Sequence, residues 1–152
     1  MDHLLNNYKV EQLVLNEAPT VEDGTPLKTV LFTMRNLKVG SILTVRGKKL
    51  TGIFTEHDFM KVVTQGESRD APIEQVASPK PWVVQNDAGL KEVIQLMKEK
   101  NIRHVPVLDK EGALKGVLSI RSVIKLFAEH FPADVMNLPP RLHKNAKTPE
   151  GG

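Results

Sequence analysis

Gly52-Ile53-Phe54-Thr55-Glu56-His57-Asp58 decides how this chain is read, because its opening returns downstream as Gly116-Val117-Leu118-Ser119. The copies stand about 64 positions apart, and the sequence around them repeats as well. Upstream, Leu27, Val30, Leu31 and Met34 are echoed by Leu90, Val93, Ile94 and Met97. Val10-Glu11-Gln12-Leu13 is echoed by Ile73-Glu74-Gln75-Val76, Pro19 by Pro81, and Lys61 by Lys125. The offset drifts by one residue between Pro19 and Leu27 and again between Val45 and Leu50. Loops are expected there, and loops tolerate insertions that packed elements do not. A period near 63 is longer than that of the usual solenoid units, so two half-domains packed face to face are expected.

Each copy has the same coarse grammar. A short helical segment (Val10 to Leu15, or Ile73 to Ala77) leads into an extended piece around Pro19-Thr20-Val21, or Pro81-Trp82-Val83-Val84. A helix follows, expected to be capped by Thr25 with Pro26 at its first position, or by Asp87. Leu27, Val30, Leu31, Met34 and Leu37 carry the i, i+3, i+4, i+7 spacing of a buried helical stripe. A hairpin then runs through Ser41–Val45, a turn at Gly47 and Leu50–Phe54; the second runs through His104–Leu108, Gly112 and Leu114–Leu118. Closing helices run from Thr55 towards Gly66 and from Ser119 towards Phe131. The unit is β-α-β-β-α, written twice. Its three-stranded sheet leaves one face open, and two copies related by a pseudo-two-fold axis bury those faces against each other.

Composition excludes several classes. With 152 residues, 40% hydrophobic and 26% charged, the chain can bury a core, so disorder throughout is excluded. No apolar run approaches the roughly 18–20 residues of a membrane helix. Met1-Asp2-His3-Leu4 lacks a basic region followed by an apolar one, so a cytoplasmic location is expected. The absence of cysteine removes disulfides, thiolate metal sites and thiol catalysis. The net charge of +3 falls short of a nucleic-acid footprint.

The duplicated unit resembles a tandem pair of cystathionine-β-synthase (CBS) domains, a Bateman module. Ile102-Arg103-His104-Val105-Pro106-Val107 and the Gly-hydrophobic-x-Ser/Thr-x-x-Asp signature at Gly52–Asp58 carry the resemblance, which covers roughly 10–131. It implies a regulatory ligand-binding module of α/β class rather than an enzyme. AMP is the first expected ligand, with ATP, NAD and S-adenosylmethionine as alternatives. It also implies a homodimer of the pair. Residues 1–68 are assigned to the first repeat with its N-terminal helix and 69–131 to the second. Residues 132–152 are read as a C-terminal extension, flexible from Arg141.

Thr55 and Asp58 open the closing helix of the first repeat, where backbone N–H groups favour an anion and a carboxylate can accept both hydroxyls of a ribose. The same Thr-x-x-Asp also reads as a capping box with a shortened acid. The second copy reads Ser119-Ile120-Arg121-Ser122, without the acid, so one competent site per chain is expected. The family geometry implies that Asp58 shares its cleft with Trp82, Val83, Arg103, His104, Val105 and Pro106. Trp82 is read either as a stacking platform for a purine or as a core aromatic. Arg103, Arg121 and His57 are read as phosphate contacts or as solvated surface charges. His104 is either a ligand contact or a satisfied strand histidine, and Ser119 completes the candidate set.

Catalysis finds no support. Ser119 lacks the second glycine of a nucleophile elbow, and no glycine-rich phosphate loop is present. His3, His57, His104, His130 and His143 are not paired at metal-ligand spacing. The basic tail residues Arg141, His143, Lys144 and Lys147 allow a nucleic-acid, membrane or protein contact, and a ligand-free scaffold is the other alternative. No effector domain is recognisable, so output is expected to pass to a separate partner.

Overall fold

The computed structural model describes residues 2–13, 15 and 19–130. The extension from 132, its tail from Arg141, and Phe131 lie outside the described residues. Helix α1 (Asp2–Asn7) and a 3-10 turn (Val10–Gln12) precede the first repeat. That repeat comprises β1 (Thr20–Glu22), α2 (Leu27–Leu37), β2 (Ser41–Arg46), β3 (Lys49–Thr55) and α3 (Glu56–Gln65). The short α4 (Ile73–Val76) and β4 (Ser78–Pro79) lead to β5 (Val84–Gln85), α5 (Leu90–Lys100), β6 (His104–Leu108), β7 (Leu114–Ser119) and α6 (Ile120–His130).

Both sheets share one plan, in which the entry strand is parallel to the first hairpin strand and the hairpin is antiparallel. Gly47 and Gly112 turn the hairpins at positive φ (64° and 83°), where a side chain would be strained. Strand alternation sorts the apolar residues between two faces. Ile42 and Phe54 face α2 and α4 in one core, while Val105, Val107 and Leu118 join Leu90 and Val93 in the other. The intervening positions, Leu43 and Ile53 from the first sheet and Val117 from the second, form a third cluster where the sheets meet. The expected sheet-to-sheet packing of two β-α-β-β-α units is the observed architecture.

Local expectations fail at three places. Neither Thr25 nor Asp87 caps its helix: the cap positions are Pro26 and Gly89, with no side-chain hydrogen bond. Backbone carbonyls satisfy the orphan donors instead, Ala71 O accepting from Leu27 N and Arg69 O from Lys28 N (both 2.9 Å), and Tyr8 O from Leu90 N (2.9 Å). The second entry strand begins at Val84, so Pro81, Trp82 and Val83 are irregular. The first sheet gains a fourth strand, β4, whose Ser78 and Pro79 pair with Ile53 and Gly52. Proline suits this edge because no further strand needs its missing N–H.

The leading segments are exchanged. Val10 N donates to Ala88 O (2.9 Å) and Glu11 N to Asn86 O (2.7 Å), and Val10 is buried in the second repeat's core. Reciprocally, Ile73 N donates to Thr25 O (2.8 Å), and Ile73 is buried in the first repeat's core. Fully burying such a side chain is worth about 1.5–3 kcal/mol, so each repeat draws part of its core from the segment leading into the other.

Candidate functional site

Phe54 anchors the end of β3 in the core, and the chain leaves it through Thr55 in an extended conformation (φ −122°, ψ 174°) before turning into α3. This strand-to-helix switch points the first N–H groups of α3 out of the sheet. Thr55 Oγ1 accepts from Asp58 N at 3.5 Å, and Asp58 Oδ2 accepts from Thr55 N at 2.9 Å and from Thr55 Oγ1 at 3.2 Å. The capping-box reading of Thr-x-x-Asp is therefore realised. A further donor reaches Asp58: Ser78 Oγ bonds Oδ1 at 2.7 Å from β4. The aspartate is only 3% exposed.

Asp58 lies in the wall of a cavity of about 720 Å³ between the repeats. The first repeat contributes the start of α3, from Thr55 to Met60. The segment from Ser78 to Trp82 crosses one side, and Asn101 to His104, between α5 and β6, closes the other. Of the residues singled out from sequence, Thr55, His57, Asp58, Trp82, Arg103 and His104 are brought together here. The others lie elsewhere. Val105 and Pro106 are both buried in β6 and outside the cavity wall, Val105 in the helix-facing core of the second repeat and Pro106 on the opposite side of the strand. Val83 lines a neighbouring groove of about 590 Å³ along α5. Ser119 is buried at the opposite strand-to-helix switch, its Oγ 3.1 Å from Ser122 Oγ and accepting from Ser122 N at 3.2 Å. Arg121 is exposed and outside the cavity wall.

Trp82 is no core aromatic. It is 52% exposed, and Lys100 Nζ lies 4.4 Å from its ring centroid, a cation–π contact on one face. His104 is half-buried, and burial pushes its pKa down. Nearby Glu56 opposes that shift, while Arg121 and Arg103 add to it. Gly40, in the α2–β2 connection, makes room for this corner: a Cβ there would sit 2.8 Å from Glu56 Oε1 and 3.3 Å from His104 Nε2.

Sequence reasoning missed Ser78 and Lys80. Ser78 gives no local signal, because its significance arises only when β4 pairs with β3. Lys80 lines the cavity with φ at +50°, in the left-handed region that non-glycine residues seldom adopt. Among the described residues no cluster of three or more His, Asp or Glu side chains is placed to hold a metal ion. No described helix is long and apolar enough to cross a membrane.

The closing helices α3 and α6 bury some of their apolar residues and expose others. Val62 and Val123 are buried in the cores and Phe127 packs against one of them, leaving Phe59, Met60, Val63 and Ile124 exposed.

Comparison with known proteins gives these features a family. An uncharacterised protein of Methanopyrus kandleri is 32% identical over 109 residues, 68% of this chain and 56% of its own length. The chain also spans only 19% of a CBS domain-containing protein of Arabidopsis thaliana, at 27% identity. A CBS domain protein of Pyrobaculum aerophilum, solved in complex with AMP, aligns at 25% identity with a TM-score of 0.71, covering 76% of this chain and 89% of that one. A putative signal-transduction protein with CBS domains from Burkholderia ambifaria aligns at 30% identity with a TM-score of 0.68, over 74% and 82%. The CBS domain model matches residues 10–65 and again 73–129, so the chain belongs to the CBS domain family, with two copies in tandem.

Proposed function

We propose that this chain is a regulatory module that senses an adenosine nucleotide, AMP in the first instance, in the cavity between its repeats. The observation that carries the reading is the buried Asp58 carboxylate, set in the wall of a cavity large enough for a nucleotide. Asp58 would receive the ribose hydroxyls, and the free face of Trp82 would stack on the base. Arg103, Lys80 and His57 would meet phosphate, where a guanidinium offers bidentate geometry. The Pyrobaculum relative bound to AMP supports this choice among adenosine ligands.

The second strand-to-helix switch presents Ser122 instead of an acid, its hydroxyl directed to Ser119. One nucleotide per chain follows. Phe59, Val63 and Ile124 would form a two-fold contact between copies, because exposed apolar patches of this kind are uncommon in monomers. Output would pass, without catalysis, to a separate cytoplasmic partner.

The test is titration of AMP, ATP, NAD and S-adenosylmethionine, followed by calorimetry and by the fluorescence of Trp82, the single tryptophan. AMP at one equivalent per chain with a change in Trp82 emission is the expected result. Binding of none of the four overturns the sensor reading and favours the scaffold.

A further inference from the structure

Asp58 reaches the cavity with its hydrogen-bonding capacity mostly used. An ionised carboxylate offers about four acceptor positions, two on each oxygen. Thr55 N and Thr55 Oγ1 take both positions on Oδ2, and Ser78 Oγ takes one on Oδ1. A vicinal diol brings two donors, whereas one position is open. One protein hydroxyl must turn away, and the distances indicate which. The Thr55 hydroxyl bond is the longer, at 3.2 Å, and Thr55 keeps its hold on Oδ2 through its backbone N–H at 2.9 Å. The Ser78 bond, at 2.7 Å, is the shorter. Once the Thr55 hydroxyl rotates, each oxygen keeps one protein donor and offers one position to the ligand.

From this we infer that Ser78 is a positioning residue that aims the Asp58 carboxylate at an intact ribose diol and so makes the site select ribonucleotides over 2′-deoxynucleotides. The inference rests on the nucleotide-sensing reading above. Ser78 can act this way because β4 is fixed to the first sheet. Ser78 pairs with Ile53, and Gly52 lets the strands close up, since a Cβ there would lie 2.8 Å from Ser78 O. Without the serine hydroxyl, Asp58 is tethered through Oδ2 alone. Its plane is then free to turn, and two-point recognition of the diol is lost while one-point recognition persists.

The test compares AMP with 2′-deoxy-AMP on wild type, Ser78→Ala and Ser78→Thr by calorimetry, with thermal melts of all three unliganded proteins. Wild type should prefer AMP by about tenfold or more, the range expected for a hydrogen bond to a charged group. Ser78→Ala should lose about tenfold in AMP affinity but under about threefold for 2′-deoxy-AMP, so that the ratio collapses; Ser78→Thr, which restores the hydroxyl, should recover it. An unchanged ratio in Ser78→Ala, or equal losses for both ligands, overturns the inference and leaves nucleotide sensing standing. Binding of neither nucleotide by wild type overturns both.

Discussion

Replacing Asp58 by asparagine separates a ligand-binding carboxylate from a helix cap. In the unliganded protein the substitution is mild. The carbonyl of the new side chain can still accept from Thr55 N, while its amide donates to Ser78 Oγ, whose hydroxyl turns to accept. The bonds to Thr55 and Ser78 survive as neutral rather than charge-assisted ones, and an asparagine is a tolerated partner at a helix start. The stability cost should be about 1 kcal/mol or less. The ligand sees a different site. A diol needs two acceptors, and the amide presents a donor where one of them stood. Losing a charge-assisted hydrogen bond costs about 1.5–3 kcal/mol, or roughly 10- to 150-fold in affinity for AMP. Urea unfolding measures the first quantity and calorimetric titration the second, on the same preparation. Asp58→Ala is the contrast, because it strands the Thr55 and Ser78 donors and should cost about 1–3 kcal/mol of stability. If Asp58→Asn changes AMP affinity by less than about threefold, the carboxylate is only a cap and the ribose assignment is wrong.

Three further outcomes are expected. Gly52→Ala should destabilise by about 1–3 kcal/mol and weaken AMP binding, since its Cβ would lie 2.8 Å from both Ser78 O and Thr44 Oγ1 and force β4 off the sheet; unchanged urea unfolding and AMP titration would show that β4 does not need this close approach. His104 has its pKa held below the ordinary histidine value of 6.5 by burial, so the unfolded chain takes up the proton more readily. Stability should therefore fall as pH drops below that value, and His104→Gln should flatten the fall; identical pH profiles of thermal melting in the two proteins would refute this. Sedimentation at micromolar concentration should find a dimer that Val63→Glu or Ile124→Glu shifts to monomer, and a 16.9 kDa species alone in the unmodified protein would refute the two-fold contact.

Much of the fold was legible because duplication and period-2 or period-3.6 patterning are local properties of a sequence. Leu27, Val30, Leu90 and Val93 sit in the cores as their spacing required. The capping box of α3 was legible, but the caps of α2 and α5 were not. Their donors are satisfied by carbonyls of residues 69, 71 and 8, and no pattern within a helix announces a partner that distant. The same limit applies at the site. The Thr-x-x-Asp spacing identified Asp58, and the family resemblance brought it together with Trp82, Arg103 and His104. Ser78 escaped because its bond to Asp58, 20 positions away, depends on a two-residue strand that pairs with β3 through Ile53 and Gly52. The family geometry implies a cleft that includes Val105 and Pro106, but the cavity wall ends at His104: Val105 alternates with it and enters the helix-facing core, and Pro106, on the same strand face as His104, is buried beyond the wall.

On the proposed reading, the exchange of leading segments makes the pair, rather than the single repeat, the unit on which a ligand would act. Ile73 completes the first core and Val84 belongs to the second, so the chain from Ser78 to Trp82 is held between them, with Ser78 and Pro79 hydrogen-bonded to the first sheet. The cavity lies against that bridge. A nucleotide touching Asp58 on one side and Arg103 on the other would span the boundary between repeats. Among the described residues the buried apolar contact across that boundary is small, consisting of Leu43, Ile53 and Val117, while each helix-facing core is larger. A ligand bound only by the assembled pair at a hundredfold excess over Kd adds about 2.7 kcal/mol to its stability. That gain would fall on the weaker seam rather than on either core. On the proposed reading, nucleotide binding would thus be reported as the relative setting of the two repeats, carried by the 78–82 bridge, with the fold of each repeat unchanged.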